Sequence, residues 1–262
     1  MFLFLLHIND KYGIIRKIGD DNMLPKIVVM DLGDTIIDIK ELDFYKGFKH
    51  IYDNYCNHDV SYDELLEDLI YMQKVAFPAR NNDDMEISFI NYLRYIGQIV
   101  GYERNDDLYK LEEEFIRVAF NAPLMTNVLE LLELLKELNI DIYVLSNSTF
   151  STNGLKSQLK DLGILHYFKD VYSSCDYLLR KPNKMYFNVV KKPLLKRYNN
   201  VSSLDIWYIG NDYHFDVCGS INSGLTSVWY NAKKESNTKN LRCIDVSSYL
   251  ELCDYIRGNI ND

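Results

Sequence analysis

Apolar positions in this chain change their period several times, and the changes mark its elements. Ile27-Val28-Val29-Met30 is an unbroken apolar run that ends at Asp31-Leu32-Gly33-Asp34-Thr35. Such a run reads as a short strand buried on both faces, the habit of a parallel sheet. Across residues 38–123 the period becomes helical. Ser61-Tyr62-Asp63-Glu64 has the form of a capping box, with Leu65, Leu66, Leu69 and Ile70 behind it. Phe89, Tyr92, Leu93, Ile96 and Val100 keep helical spacing as far as Gly101, which is placed to end that helix. Leu108, Leu111, Phe115 and Val118 form another helical face, with Glu112, Glu113 and Glu114 expected to point elsewhere. No strand signal interrupts this stretch, which predicts an all-helical insertion.

Strand and helix alternate again after Pro123. A leucine-rich helix over Leu129–Leu138 leads into a buried strand from Ile140 to Leu145. A helix around Leu155–Leu162 stops at Gly163, and a strand follows near Val171. Pro182 suits the first turn of a helix through Phe187 and Val190. Strands are expected over Asp205–Ile209, Leu225–Trp229 and Cys243–Val246, with helices after Asp212 and through Leu252 and Ile256. This alternation predicts an α/β fold whose parallel sheet is covered on both faces.

Composition narrows the function. The 262 residues carry a formal net charge of −9, which argues against nucleic acid or an anionic membrane as the main partner. A polyanionic ligand would need a local cation. Five cysteines, never in a CxxC pair, fit a reduced, cytoplasmic protein without a zinc site. The apolar opening Met1–Leu6 is too short to span a bilayer and has no basic leader, so a strand or packed arm is expected there. Met23 is an alternative start, with residues 1–22 as an N-terminal extension.

Candidate chemistry gathers where the expected strands end. Asp31 with Gly33, Asp34 and Thr35 follows the first strand, and Ser146-Asn147 follows Leu145. Arg180-Lys181-Pro182 precedes a helix, and Gly210-Asn211-Asp212 with Asp216 follows Ile209. Ligands of open α/β sheets sit beyond the carboxyl ends of the strands, so these groups are placed to share one site. Singly each has an ordinary reading as a helix cap or turn.

As an ordered set, these residues resemble the four motifs of the haloacid dehalogenase superfamily. Asp31 matches the nucleophile and Thr35 the threonine of the first motif; Ser146 matches the second. Lys181-Pro182 matches the third, and Gly210 with Asp216 matches part of the fourth. The resemblance implies a Rossmann-like parallel sheet core over residues 23–37 and 124–262, with a helical cap over residues 38–123. It also implies a Mg2+-dependent phosphatase acting on a small phosphorylated metabolite, in which Asp31 forms an aspartyl-phosphate. Asp31, the Gly33 carbonyl and fourth-motif residues Asn211, Asp212 and Asp216 would supply the metal ligands. Ser146, Asn147 and Lys181 would bind the phosphoryl group.

Two positions depart from the family pattern. Gly33 stands where the resemblance implies the acid that protonates the leaving group. Either Asp34 takes over that task, or the substrate has a good leaving group that needs little protonation, or catalysis is feeble; otherwise Asp34 has a structural role in the loop. Asn211 stands where a metal-binding Asp is implied. Both departures keep open a metal-independent haloacid dehalogenase, or a binding or regulatory protein of weak activity. Two carboxylates, Asp212 and Asp216, near Asp31 make sense chiefly with a cation between them, which favours the phosphatase.

Overall fold

The computed structural model describes residues 24–57, 60–79, 84–101 and 107–260, so the expectations for residues 1–22 and Met23 fall outside the described residues. The opening apolar run forms β1 (Ile27–Met30), and all four side chains are wholly buried. Beyond it the described residues form four helices: α1 (Phe44–Tyr55), α2 (Tyr62–Ala79), α3 (Phe89–Val100) and α4 (Leu108–Ala119). Ser61 and Glu64 make the reciprocal bonds of the capping box before α2. Gly101, at φ 66°, closes α3.

Two details of this helical block differ from the expectation. Strands β2 (Glu41–Leu42) and β3 (Phe120–Asn121) pair antiparallel at its two ends, Leu42 opposite Phe120. A two-residue ladder is too short to show an alternation, so periodicity could not reveal it. Glu112 is fully buried. It follows Leu111 and precedes Phe115 by one helical turn, so it shares their face, while its acidity suggested solvent.

The remaining elements alternate as predicted. They are α5 (Val128–Glu137), β4 (Asp141–Ser146), α6 (Thr152–Asp161), β5 (Phe168–Ser173), α7 (Lys184–Arg197) and β6 (Ile206–Gly210). A π-helical turn, Tyr213–Cys218, runs into α8 (Gly219–Asn222), followed by β7 (Thr226–Tyr230), β8 (Ile244–Val246) and α9 (Tyr249–Gly258). Pro182 lies outside α7, contrary to expectation. Asn183 caps that helix by accepting the Met185 N–H at 2.9 Å, and a cis peptide joins Lys181 to Pro182.

Six parallel strands form one sheet in the order β5-β4-β1-β6-β7-β8. The chain works outward from β1 through β4 to β5, then restarts at β6 on the opposite side. That reversal is a topological switch point, where open sheets bind ligands. Met30 pairs with both Val144 and Ile209, so the residues after these three positions leave the sheet at one edge.

Alternate residues of β1 face opposite cores. Ile27 and Val29 pack with Tyr143, Leu145, Tyr186, Phe187 and Tyr208. Val28 and Met30 join a larger cluster that runs unbroken into the helical block through Phe150, Phe115, Phe89 and Phe48. The Phe89 ring lies 4.4 Å from that of Phe115 and 4.9 Å from that of Phe150. No helix among the described residues is long and apolar enough to cross a membrane.

Candidate active site

Three strand ends and one loop deliver their polar residues to a single cavity of about 410 Å3, lined by Asp31, Ser146, Lys181 and Asp216 among others. Asp31 is only 8% exposed and Lys181 only 2%. The Lys181 ammonium donates to Asp31 Oδ1 at 2.5 Å, to Asp216 Oδ1 at 2.7 Å and to the Tyr208 hydroxyl at 2.9 Å. All three of its N–H groups are thereby engaged. The cation expected between the carboxylates is thus supplied by the chain itself, which weakens the argument that their clustering calls for a metal ion.

The lysine is held at its backbone as well. Asn147 accepts the Lys181 N–H at 2.7 Å and donates to the Lys181 carbonyl at 3.0 Å. Its amide, expected on a phosphoryl group, is bonded to the neighbouring loop, so it fixes where Lys181 leaves the chain. Ser146 lines the cavity at the end of β4, and its carbonyl accepts the Tyr186 hydroxyl at 2.8 Å.

Asp216 is as closely fitted. Its Oδ2 accepts the Asp212 N–H at 2.9 Å, while Oδ1 takes Lys181. Gly210 makes this approach possible, because a Cβ there would sit 2.4 Å from the Asp216 carboxylate. Asp212 caps the following turn by accepting the Phe215 N–H at 2.6 Å. Asn211 Oδ1 accepts the Thr35 hydroxyl at 3.1 Å, which ties the first loop to the fourth.

Asp34 is exposed at a positive φ of 54°. Its carboxylate accepts the Ile39 N–H at 3.1 Å, and its own N–H bonds the Ile37 carbonyl at 2.7 Å. In this arrangement Asp34 closes its loop, although it also lines the cavity.

Burial sets the ionisation. It pushes the Asp31 carboxyl up to about 7; Lys181 pulls against that rise and Asp216 adds to it. Burial also pulls on Lys181, but Asp216 and Asp31 outweigh it and raise its pKa overall. The ammonium therefore stays charged.

Asp31, Gly33 and Asn211 offer oxygen donors in the cavity, and among the described residues no sulfur or imidazole lines it. Among the described residues, no group of three or more His, Cys, Asp or Glu side chains is placed to hold an ion. Mg2+ characteristically takes one or two carboxylates and completes its shell with water and substrate phosphate, so this donor set fits it.

One group carries no mark in the sequence. Tyr208 sits in an apolar strand and shows its role only through its hydroxyl, which meets Lys181 and lies 3.2 Å from Asp216. Arg180, expected in the cluster with Lys181, is buried in the cavity lining, its guanidinium 5.5 Å from the Phe215 ring centre and 3.9 Å from Glu86.

Known proteins bear on this arrangement. A model of haloacid dehalogenase-like hydrolases matches residues 28–230. HAD-hydrolase YfnB of Bacillus subtilis is 29% identical over 138 residues, 52% of this chain and 55% of that protein. Pyrimidine 5'-nucleotidase PynA of Streptococcus pneumoniae is 26% identical over 136 residues, 50% of this chain and 53% of that protein. The chain spans about half the length of the curated relatives it matches. A magnesium-bound structure of YfnB superposes with a TM-score of 0.52 at 20% identity, covering 88% of this chain and 97% of that one. The 2-haloacid dehalogenase of Pseudomonas syringae gives 0.60 at 16% identity, covering 90% and 99%. At such identities the structures speak for the fold alone, whereas the sequence model covers most of the chain from β1 to the end of β7. The chain belongs to the haloacid dehalogenase-like hydrolase family.

Proposed function

We propose that the chain is a Mg2+-dependent phosphatase of small phosphorylated metabolites, with Asp31 as nucleophile. The observation that carries the reading is the Lys181 ammonium bonded to both Asp31 and Asp216 in the cavity. An Asp31 oxygen attacks phosphorus, and the leaving oxygen departs opposite it. Ser146 and Lys181 stabilise charge growing on the phosphoryl oxygens. Asn147 and Asp216 hold Lys181 in place, and Thr35 holds Asn211. Water then attacks the phosphorus of the aspartyl-phosphate and frees Asp31.

Asp31, the Gly33 carbonyl and Asn211 would hold Mg2+. Asp212 and Asp216 serve the loop and Lys181 in this reading. The bound ion supplies positive charge that screens Asp31 from the phosphate. Residues 38–123 act as a cap over a core of residues 23–37 and 124–262. The curated relative PynA is a pyrimidine 5'-nucleotidase, which supports phosphate-ester chemistry. The cysteine usage supports a cytoplasmic setting.

Asn211, an amide where a metal-binding carboxylate is implied, favours a second reading, metal-independent dehalogenation. The cavity of about 410 Å3 is generous for a small haloacid and supports the phosphatase. Hydrolysis of 4-nitrophenyl phosphate with and without Mg2+, by wild type and Asp31→Asn, tests the reading. Metal-dependent turnover lost in Asp31→Asn is the expected result. Halide release from 2-haloacids without metal, and no phosphate release, would replace it.

A further inference from the structure

Resting on the phosphatase reading, we infer that the site takes phosphates of acidic alcohols, such as aryl or enol phosphates, carried on an apolar body. Among the described residues, six ionisable side chains line the cavity: Asp31, Asp34, Arg180, Lys181, Asp212 and Asp216. None of these six is placed to hand a proton to a departing oxygen. Asp31 is the nucleophile. Lys181 already spends its three N–H groups on Asp31, Asp216 and Tyr208. Asp216 accepts Lys181 and the Asp212 N–H, and Asp212 accepts the Phe215 N–H. Arg180 lies over the Phe215 ring and beside Glu86. Asp34 is turned onto the Ile39 N–H.

The ground beside the nucleophile is apolar. A Cβ on Gly33 would lie 3.0 Å from Ile39 Cδ1, so an isoleucine methyl borders this bare position. Leu42, Phe44, Phe120, Phe150 and Leu155 line the same cavity. An apolar or aromatic leaving group finds partners there, beside the polar side chains of Ser148, Thr149 and Gln158 that line the same cavity.

The chemistry follows. An Asp31 oxygen forms a bond to phosphorus while the bond to the leaving oxygen breaks, its electron pair staying on that oxygen as an alkoxide or phenoxide. The anion takes its proton from solvent after release. Water then adds to phosphorus, the Asp31–phosphorus bond breaks, and inorganic phosphate leaves with the protons of that water. Without a proton donor, only a stable anion leaves readily; general acid help is worth roughly a hundredfold to ten-thousandfold.

The test compares kcat/KM, with Mg2+, for ring-substituted phenyl phosphates and for benzyl phosphate, which keeps the ring but leaves as an ordinary alcohol. The expected result is a steep fall with weaker leaving-group acidity, with benzyl phosphate at least about a hundredfold below 4-nitrophenyl phosphate. Gly33→Asp, with Ile39→Ala to make room, raises benzyl turnover selectively. Benzyl and nitrophenyl esters turning over alike would overturn the inference. Selective loss of benzyl turnover in Asp34→Asn would do the same, by assigning the acid to Asp34. No turnover of even the nitrophenyl ester would instead overturn the phosphatase reading beneath it.

Discussion

Glu112 of α4 and Ser151, the residue capping α6, share a buried pair of hydrogen bonds. The carboxylate accepts the Ser151 N–H at 2.8 Å and the Ser151 hydroxyl as well. This pair joins the helical block to the helix that follows β4. Beside it Arg117 meets Asp161 at 2.7 Å, but both are about half exposed and such pairs contribute little.

The Glu112 bond predicts a pH dependence. Burial pushes the Glu112 carboxyl from 4.5 up to about 7, against the pull of the Ser151 bonds. The folded chain therefore keeps a proton that the unfolded chain has lost across that window, and stability falls as pH rises through it. The contribution is on the order of 3 kcal/mol. Glu112→Gln keeps the bonding to Ser151 without the titration. Denaturant unfolding across this pH range should show the loss in wild type and a flatter profile in Glu112→Gln.

Lys181→Met leaves two buried carboxylates without their cation. Breaking a buried ion pair costs roughly 3–5 kcal/mol at neutral pH, and less in acid, where Asp31, pushed up to about 7 by burial, takes up a proton. Turnover should fall at least about a hundredfold. Unfolding curves on both sides of neutrality and single-turnover rates check the two halves of this expectation.

Asn147→Ala removes two hydrogen bonds from the Lys181 backbone, worth about 1–3 kcal/mol together. Because Asn147 positions Lys181, kcat should drop while KM holds. A change confined to KM would mean that the amide binds substrate directly.

Gly210→Ala drives a methyl into the Asp216 carboxylate. Overpacking of this kind costs about 1–3 kcal/mol. The displaced Asp216 should loosen Lys181 and lower kcat, read by thermal unfolding and steady-state kinetics.

Much of this was legible in the sequence where one dimension suffices. The Ile27–Met30 run, ending in Asp31, announced a buried strand with a carboxylate at its mouth, and Ser146 and Lys181 fell where the sheet brings them together. Glu112 was misjudged because acidity outweighed its place beside Leu111 and Phe115 on one helical face. Tyr208 was invisible because its strand is apolar on both sides, and only the fold sets its hydroxyl against Lys181. The roles of Asn147 and Asp34 turned on hydrogen bonds to neighbouring backbone, which spacing along the chain does not encode.

The central claim is that Asp31 carries the phosphoryl group. Acid quenching during turnover of 4-nitrophenyl phosphate, followed by peptide mass spectrometry, tests it directly. The account predicts one phosphoryl group on the peptide containing Asp31, absent from Asp31→Asn. Phosphate release with that peptide unmodified at every quench time, and undiminished in Asp31→Asn, would contradict it.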